Sequence, residues 1–212
     1  MKSYFSILAY FSILAAVLLC PTASLPAQHS ALTSTQVEQA VRAGALMKPG
    51  DVGVLLRPSG LARALSRDDN LTKYLAITLY TPLMWIQLMS AMEASEYRQL
   101  SEVSEDMKKP VLRVFVKPAQ ADHLVLRDAR KRNAIQPSIT RMCDRAMPFG
   151  SNEIEQYCQE FQFPLDAVNQ LRGGNGDFVV TVLLQGSEAF RTIQHEQDFP
   201  VRRKNVAKLL GL

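Results

Sequence analysis

Acid–base catalysis and metal binding both draw first on histidine, and this chain has three: His29, His123 and His195. A metal site wants ligands at spacings matched to one element, such as HxH on a strand or HExxH on a helix. None of the three histidines sits in such a pattern. Asp122-His123 and His195-Glu196 each place a carboxylate beside an imidazole. Both read more simply as residues near strand ends. Serine nucleophiles of the α/β-hydrolase kind sit in a GxSxG turn, and the chain contains none. An enzyme built on this sequence would have to assemble its site from distant residues.

The remaining motifs have equally plain readings. Gly173-Gly174-Asn175-Gly176 would cradle a phosphate only if it followed a strand and opened a helix. Here a helical pattern precedes it and a strand pattern follows, which makes it a turn. Asp68-Asp69-Asn70 lacks the ligand spacing of a calcium loop and its terminal Glu. Asn70-Leu71-Thr72 is a glycosylation sequon, with meaning only in a host that glycosylates exported proteins. Arg127, Arg130, Lys131 and Arg132 surround an expected hairpin tip, where charges are usually solvated. No cofactor and no bound metal are implied.

Two cysteines, Cys143 and Cys158, stand 15 residues apart in the body of the chain. In an oxidising compartment that pair reads as one disulfide, and the polar residues between them suggest an exposed excursion. Two separate buried thiols are the alternative. There is no CxxC, so neither a zinc knuckle nor a thioredoxin-type redox centre is supported.

The compartment is suggested by the first 27 residues. Lys2 supplies a positive start, residues 4–19 are an uncharged and mostly apolar run of 16, and Pro21 ends it. Small residues follow up to Ala27. This is the layout of a secretory signal peptide, with cleavage expected after Ala27, or after Ser24. The run contains a direct duplication, since Tyr4-Phe5-Ser6-Ile7-Leu8-Ala9 recurs at residues 10–15. It falls short of the roughly 20 apolar residues of a spanning helix. An uncleaved N-terminal anchor is the chief alternative. Acylation of Cys20 is a third, although Leu19 before it is larger than a lipobox prefers.

Removal of residues 1–27 takes away only Lys2 among the charges and lowers the net charge from +4 to +3. So mild a balance, in an exported chain, argues against a nucleic-acid partner. What remains is long enough for one domain with a sizeable core.

Periodicity supplies the elements that position these residues. Residues 35–47 form a short helix, closed by Lys48-Pro49-Gly50. Strands are expected at 52–57, 74–80, 111–117, 123–128, 157–163, 177–185 and 188–194, with 134–139 pairing back on 123–128 as a hairpin. One substantial helix starts at Thr81-Pro82 and runs to about Arg98. Trp85, Leu88, Met89 and Met92 form its expected buried stripe, with Gln87, Ser90, Glu93 and Glu96 facing water. A short helical turn at 104–109 and a brief one at 164–171 complete the list. Residues 201–212 are a basic amphipathic tail, expected to dock on its own domain, with anionic lipid as the alternative.

The resulting fold class is mainly β: a two-sheet antiparallel, immunoglobulin-like sandwich with one inserted helix. Its organisation is a leader at 1–27, a flexible segment and short helix at 28–50, a sandwich at 51–200 with a helical insertion at 82–109, and the tail at 201–212.

Tyr80-Thr81-Pro82, Pro110-Val111-Leu112-Arg113-Val114, Val125-Leu126-Arg127-Asp128, Phe163-Pro164-Leu165-Asp166-Ala167-Val168 and Leu171-Arg172-Gly173 form a series. Across residues 75–185 the chain resembles uncharacterised exported bacterial proteins, acidobacterial ones included. The resemblance implies export and a single β-rich domain. It implies no activity, because those proteins have none established.

The expectation for function is therefore an exported, non-enzymatic binding or envelope-associated module, periplasmic or secreted. Its partner is an unspecified protein or envelope component. Membrane contact is confined to the leader or the tail. The exposed side of the helix at 82–98 and the loop at 142–158 are the expected partner surfaces. An exported hydrolase-like enzyme is the alternative.

Overall fold

Leu112, Val114 and Val116 alternate with Arg113, Phe115 and Lys117, and the backbone through them is extended from Val111–Lys117. In a strand, alternate side chains leave on opposite faces, so this segment presents one wholly apolar face and one mixed face. The fold follows from covering both. The computed structural model describes residues 31–57, 75–117, 121–150, 157–172, 177–188 and 191–210. The expected leader with its cleavage position at Ala27, together with Cys20, His29, the Asp68-Asp69-Asn70 turn, the sequon at Asn70 and the 173–176 turn, lies outside the described residues.

Among the described residues nine strands make two antiparallel sheets. The first has the order β1 (Val54–Leu56), β2 (Ala76–Tyr80), β3 (Val111–Lys117), β7 (Gln159–Pro164), β6 (Ile139–Met142). The second has the order β5 (Ala134–Ile135), β4 (Ala121–Asp128), β8 (Phe178–Glu188), β9 (Arg191–Val201). The two-sheet sandwich is thus the fold the chain adopts, and β8 lies centrally between β4 and β9. Two elements differ from expectation. Strand β8 runs on to Glu188, and the last strand is Arg191–Val201 instead of 188–194. Only Ala134 and Ile135 pair back on β4, opposite Arg127 and Leu126. Ile139 instead opens β6 and joins the other sheet, opposite Gln162. Pro137 lies between the two pieces, and a proline cannot donate to a continuing ladder.

One apolar layer joins the sheets. Leu79, Val114 and Phe161 are in register across β2, β3 and β7. They belong to the same buried cluster as Leu124 and Leu126 of β4, Val180 and Val182 of β8, and Phe199 of β9.

Among the described residues five α-helices decorate the sandwich: α1 (Ser34–Ala45), α2 (Pro82–Ser95), α3 (Glu105–Lys108), α4 (Leu165–Arg172) and α5 (Arg203–Leu210). Thr81 caps α2 by accepting a hydrogen bond from the Met84 N–H, and Pro82 occupies the first turn, where its missing N–H costs nothing. Thr33 and Gln36 form a reciprocal capping box at the start of α1. In α5, Leu209 is buried in the common cluster, so the tail docks on its own domain.

The helix α2 corrects the expected stripe. Met84, Ile86, Leu88, Met89, Ser90, Ala91 and Met92 are all buried, so apolar contact surrounds the helix. Ser90, expected in water, is buried and donates its Oγ–H to the Val41 carbonyl of α1 at 2.7 Å. Helix α1 therefore lies on the side of α2 that was expected to remain open to a partner. Gly44 permits the approach: a Cβ there would stand 2.3 Å from the Gln87 carbonyl oxygen.

Candidate functional site

The mixed face of the five-stranded sheet points away from the sandwich core and lies beneath α2 and α3. Register sets its layout. Arg113 stands opposite Tyr80 on one side and Gln162 on the other, and Glu160 stands opposite Phe115 and Arg141. Arg113 is fully buried, and Gln162 and Glu160 are buried beside it.

Glu160 is held from two sides. Arg113 Nη1 donates to Glu160 Oε1 at 2.5 Å, and Arg141 Nε donates to Glu160 Oε2 at 2.7 Å. Gln162 Nε2 donates to Oε1 as well, at 2.7 Å. From above, Asp106 of α3 accepts from Arg113 Nη2, through its backbone carbonyl at 2.7 Å and its carboxylate at 3.0 Å. A hydrogen bond from Lys109 and the Arg113 guanidinium hold the Asp106 carboxyl below its ordinary value, and outweigh the opposing effect of its partial burial. Two carboxylates thus answer two guanidiniums, which is how charge survives burial.

An aromatic cluster roofs the same face. Trp85 of α2 stacks on Phe115 with centroids 5.2 Å apart, and Tyr80 meets both rings edge-on. The Arg113 Cζ lies 5.0 Å from the Trp85 centroid, within cation–π range. Burial pushes the Tyr80 phenol well above its ordinary value. The indole packs against the core, as the stripe suggested, and also covers an ion network. Two buried atoms in this region, Arg113 Nε and Gln162 Oε1, have no hydrogen-bond partner.

This network's chemistry is electrostatic cross-linking. It ties α3 to β3, β7 and β6 through Asp106, Arg113, Glu160 and Arg141. Sequence reasoning passed over it, although the signal was present: Arg113 falls between Val111 and Phe115, and Glu160 and Gln162 alternate with Phe161 and Phe163.

Of the two histidines within the described residues, neither stands on a strand that neighbours the other's. His123 of β4 and His195 of β9 sit on strands that flank β8, opposite Leu183 and Leu184 respectively. Two interstrand spacings of about 4.8 Å each separate those backbones. Glu196 accepts from Arg127 at 2.5 Å, and Lys131 pairs with Asp198. Asp128 accepts from the Arg132 and Asn133 backbone N–H groups and organises the hairpin tip. Among the described residues no cluster of three or more His, Cys, Asp or Glu could hold a metal ion.

Cys143 and Cys158 are joined by a disulfide, with Cα atoms 5.5 Å apart, at the end of the β6–β7 ladder. The Cys143 N–H donates to the Cys158 carbonyl at 2.9 Å. The described part of the excursion, residues 144–150 and 157, is exposed only in part. Met147 and Phe149 turn into the core, and Lys117 lies over the Phe149 ring. Next to the clasp, by contrast, Met142 and Tyr157 are 54% and 68% exposed.

No family of known proteins, no curated protein and no solved structure matches this chain. Among the described residues no helix is long and apolar enough to cross a membrane.

Proposed function

We propose that this chain is an exported, non-enzymatic binding module, periplasmic or secreted, that recognises a protein or other component of the cell envelope through the clasped end of β6 and β7. One observation carries the reading: two large apolar side chains, Met142 and Tyr157, stand exposed next to the cysteines of a disulfide. A covalent clasp stiffens such a surface, and a stiff surface loses less entropy on binding. The disulfide also favours an oxidising compartment, in keeping with a cleavable leader at residues 1–27. The ion network, in contrast, is occupied with holding itself together beneath α2.

Two measurements test this. The intact mass of protein recovered from an exporting host is expected to match a chain starting at Gln28, lighter by the two hydrogens lost in forming the disulfide. A mass that retains residues 1–27 overturns cleavage. In that host, replacing Met142 and Tyr157 together by Ser is expected to abolish recovery of crosslinked partners while leaving the thermal midpoint near that of the parent. Unchanged recovery overturns the recognition surface.

A further inference from the structure

We propose that the Cys143–Cys158 disulfide is a reducible latch: a dithiol that opens it releases β6 from β7 over residues 139–143, while the sandwich stays folded. Release carries Met142 away from Tyr157 and so dismantles the apolar surface beside the clasp. That consequence rests on the reading of this surface as the recognition site, and it names how recognition is switched off.

Strand β6 is lightly held. All four of its residues are exposed, so it contributes little of the apolar burial that keeps a strand on a sheet. It stands last in the five-stranded sheet and pairs there with β7. From within β6, Arg141 Nε donates to Glu160 Oε2, but Arg141 is 40% exposed, and a solvated guanidinium readily exchanges its partner for water. The clasp is the stronger tie. It holds the Cys143 and Cys158 Cα atoms 5.5 Å apart, beside the bond from the Cys143 N–H to the Cys158 carbonyl. While it is intact, the ladder cannot open from this end.

The release is bounded on both sides. Upstream, Ile135 packs against the core and pairs with Leu126 of β4. Downstream, Met147 and Phe149 are buried in the core. Strand β7 does not depend on β6, because it pairs with β3 from Gln159 to Pro164 and buries Phe161 and Phe163. Glu160 keeps Arg113 and Gln162 when Arg141 departs. Opening is thus confined between buried anchors, as a local event well short of global unfolding.

The two cysteines are unequally placed. Cys158 is fully buried, whereas Cys143 is only partly buried at the margin of the core. A thiolate of the dithiol attacks Cys143 Sγ, the S–S bond breaks, and Cys158 leaves as a thiolate that takes up a proton. The second thiolate of the dithiol then displaces Cys143 and closes the reductant's own disulfide. Two electrons and two protons pass to the protein: the dithiol is oxidised and the cystine reduced.

The test uses the full chain and dithiothreitol, read by amide hydrogen exchange. Reduction is expected to speed exchange at residues 139–143 by about tenfold or more and to leave β2, β3 and β8 protected. Cys143→Ser with Cys158→Ser is expected to show the fast pattern with or without the dithiol. Arg141→Gln is expected to keep the slow pattern while the disulfide is intact. Slow exchange at residues 139–143 in the reduced protein overturns the proposal. So does equal loss of protection across β3 and β8, which would make the clasp a requirement of the whole fold. Fast exchange in oxidised Arg141→Gln overturns it too, because the ion pair would then be the holder. Mixed disulfides formed with glutathione and trapped by acid are expected on Cys143, and a majority on Cys158 overturns the order of attack. In the exporting host, Cys143→Ser with Cys158→Ser is expected to lower recovery of crosslinked partners. Unchanged recovery alongside fast exchange overturns the switching of recognition. If Met142→Ser with Tyr157→Ser leaves recovery unchanged, the recognition surface falls, and the exchange result alone decides the latch.

Discussion

Arg113 on β3 and Glu160 on β7 meet with Nη1 and Oε1 2.5 Å apart, and their side chains are only 1% and 3% exposed. Breaking such a pair leaves a buried charge without its counterpart. Glu160→Gln is expected to destabilise the protein by about 3–5 kcal/mol, read as a lower urea midpoint. The joint change Arg113→Met with Glu160→Leu removes both charges and is expected to cost less, because Arg141 is 40% exposed and can turn to solvent. An equal or greater loss in the double variant would mean that the ions themselves hold the sheet.

Gly44 lies where α1 crosses α2. Its missing Cβ would collide with backbone, the Gln87 carbonyl oxygen at 2.3 Å. Backbone cannot step aside as a flexible side chain can. Gly44→Ala is expected to cost about 1–3 kcal/mol, even though alanine favours a helix. A more stable variant would show that α1 does not need this close approach.

The clasp closes a 15-residue separation. Replacing Cys143 and Cys158 by Ser is expected to lower stability by about 3 kcal/mol, and a reductant is expected to shift the thermal midpoint of the parent protein but not that of the variant. No shift in the parent would mean that the bridge is absent in solution.

Stability is expected to fall at both ends of the pH range for different reasons. The hydrogen bond from Lys109 and the charge of Arg113 depress the Asp106 carboxyl below its ordinary 3.8. Its contribution is therefore fully present above 3.8 and is lost as pH falls through the lower folded value. The stability gap between the parent and Asp106→Asn is expected to close in that acidic window. Tyr80 behaves in the opposite sense. Burial raises its phenol above the ordinary 10.0, so the unfolded chain ionises first. Its contribution is present below 10.0 and declines as pH rises beyond it. Tyr80→Phe is expected to flatten the alkaline limb. Parallel limbs for parent and variant would refute the assignment in either case.

Alternation was a local property and was legible as such. Leu112, Val114 and Val116 mark β3 without reference to any other residue, and Thr81-Pro82 marks the start of α2 through the chemistry of its first turn. The spacing of Cys143 and Cys158 likewise sufficed to suggest their bond. What covers the second face of the sheet was not legible. The polar rhythm Arg113-Phe115 and Glu160-Gln162 fits a solvated face as well as a buried network, and only the position of Trp85 and Asp106 above it distinguishes the two. Ser90 was misplaced for the same reason: polarity suggests water, yet the Val41 carbonyl of α1 accepts its hydrogen bond.

The amino-acid order by itself therefore determined which segments extend, which coil and where they stop, because those choices depend on neighbours a few residues away. Tertiary structure alone decided that α1 closes over α2 and that Ile139 leaves one sheet for the other. Those outcomes depend on contacts between segments far apart in the chain, where the free energy of covering a face is shared among elements that no local pattern connects.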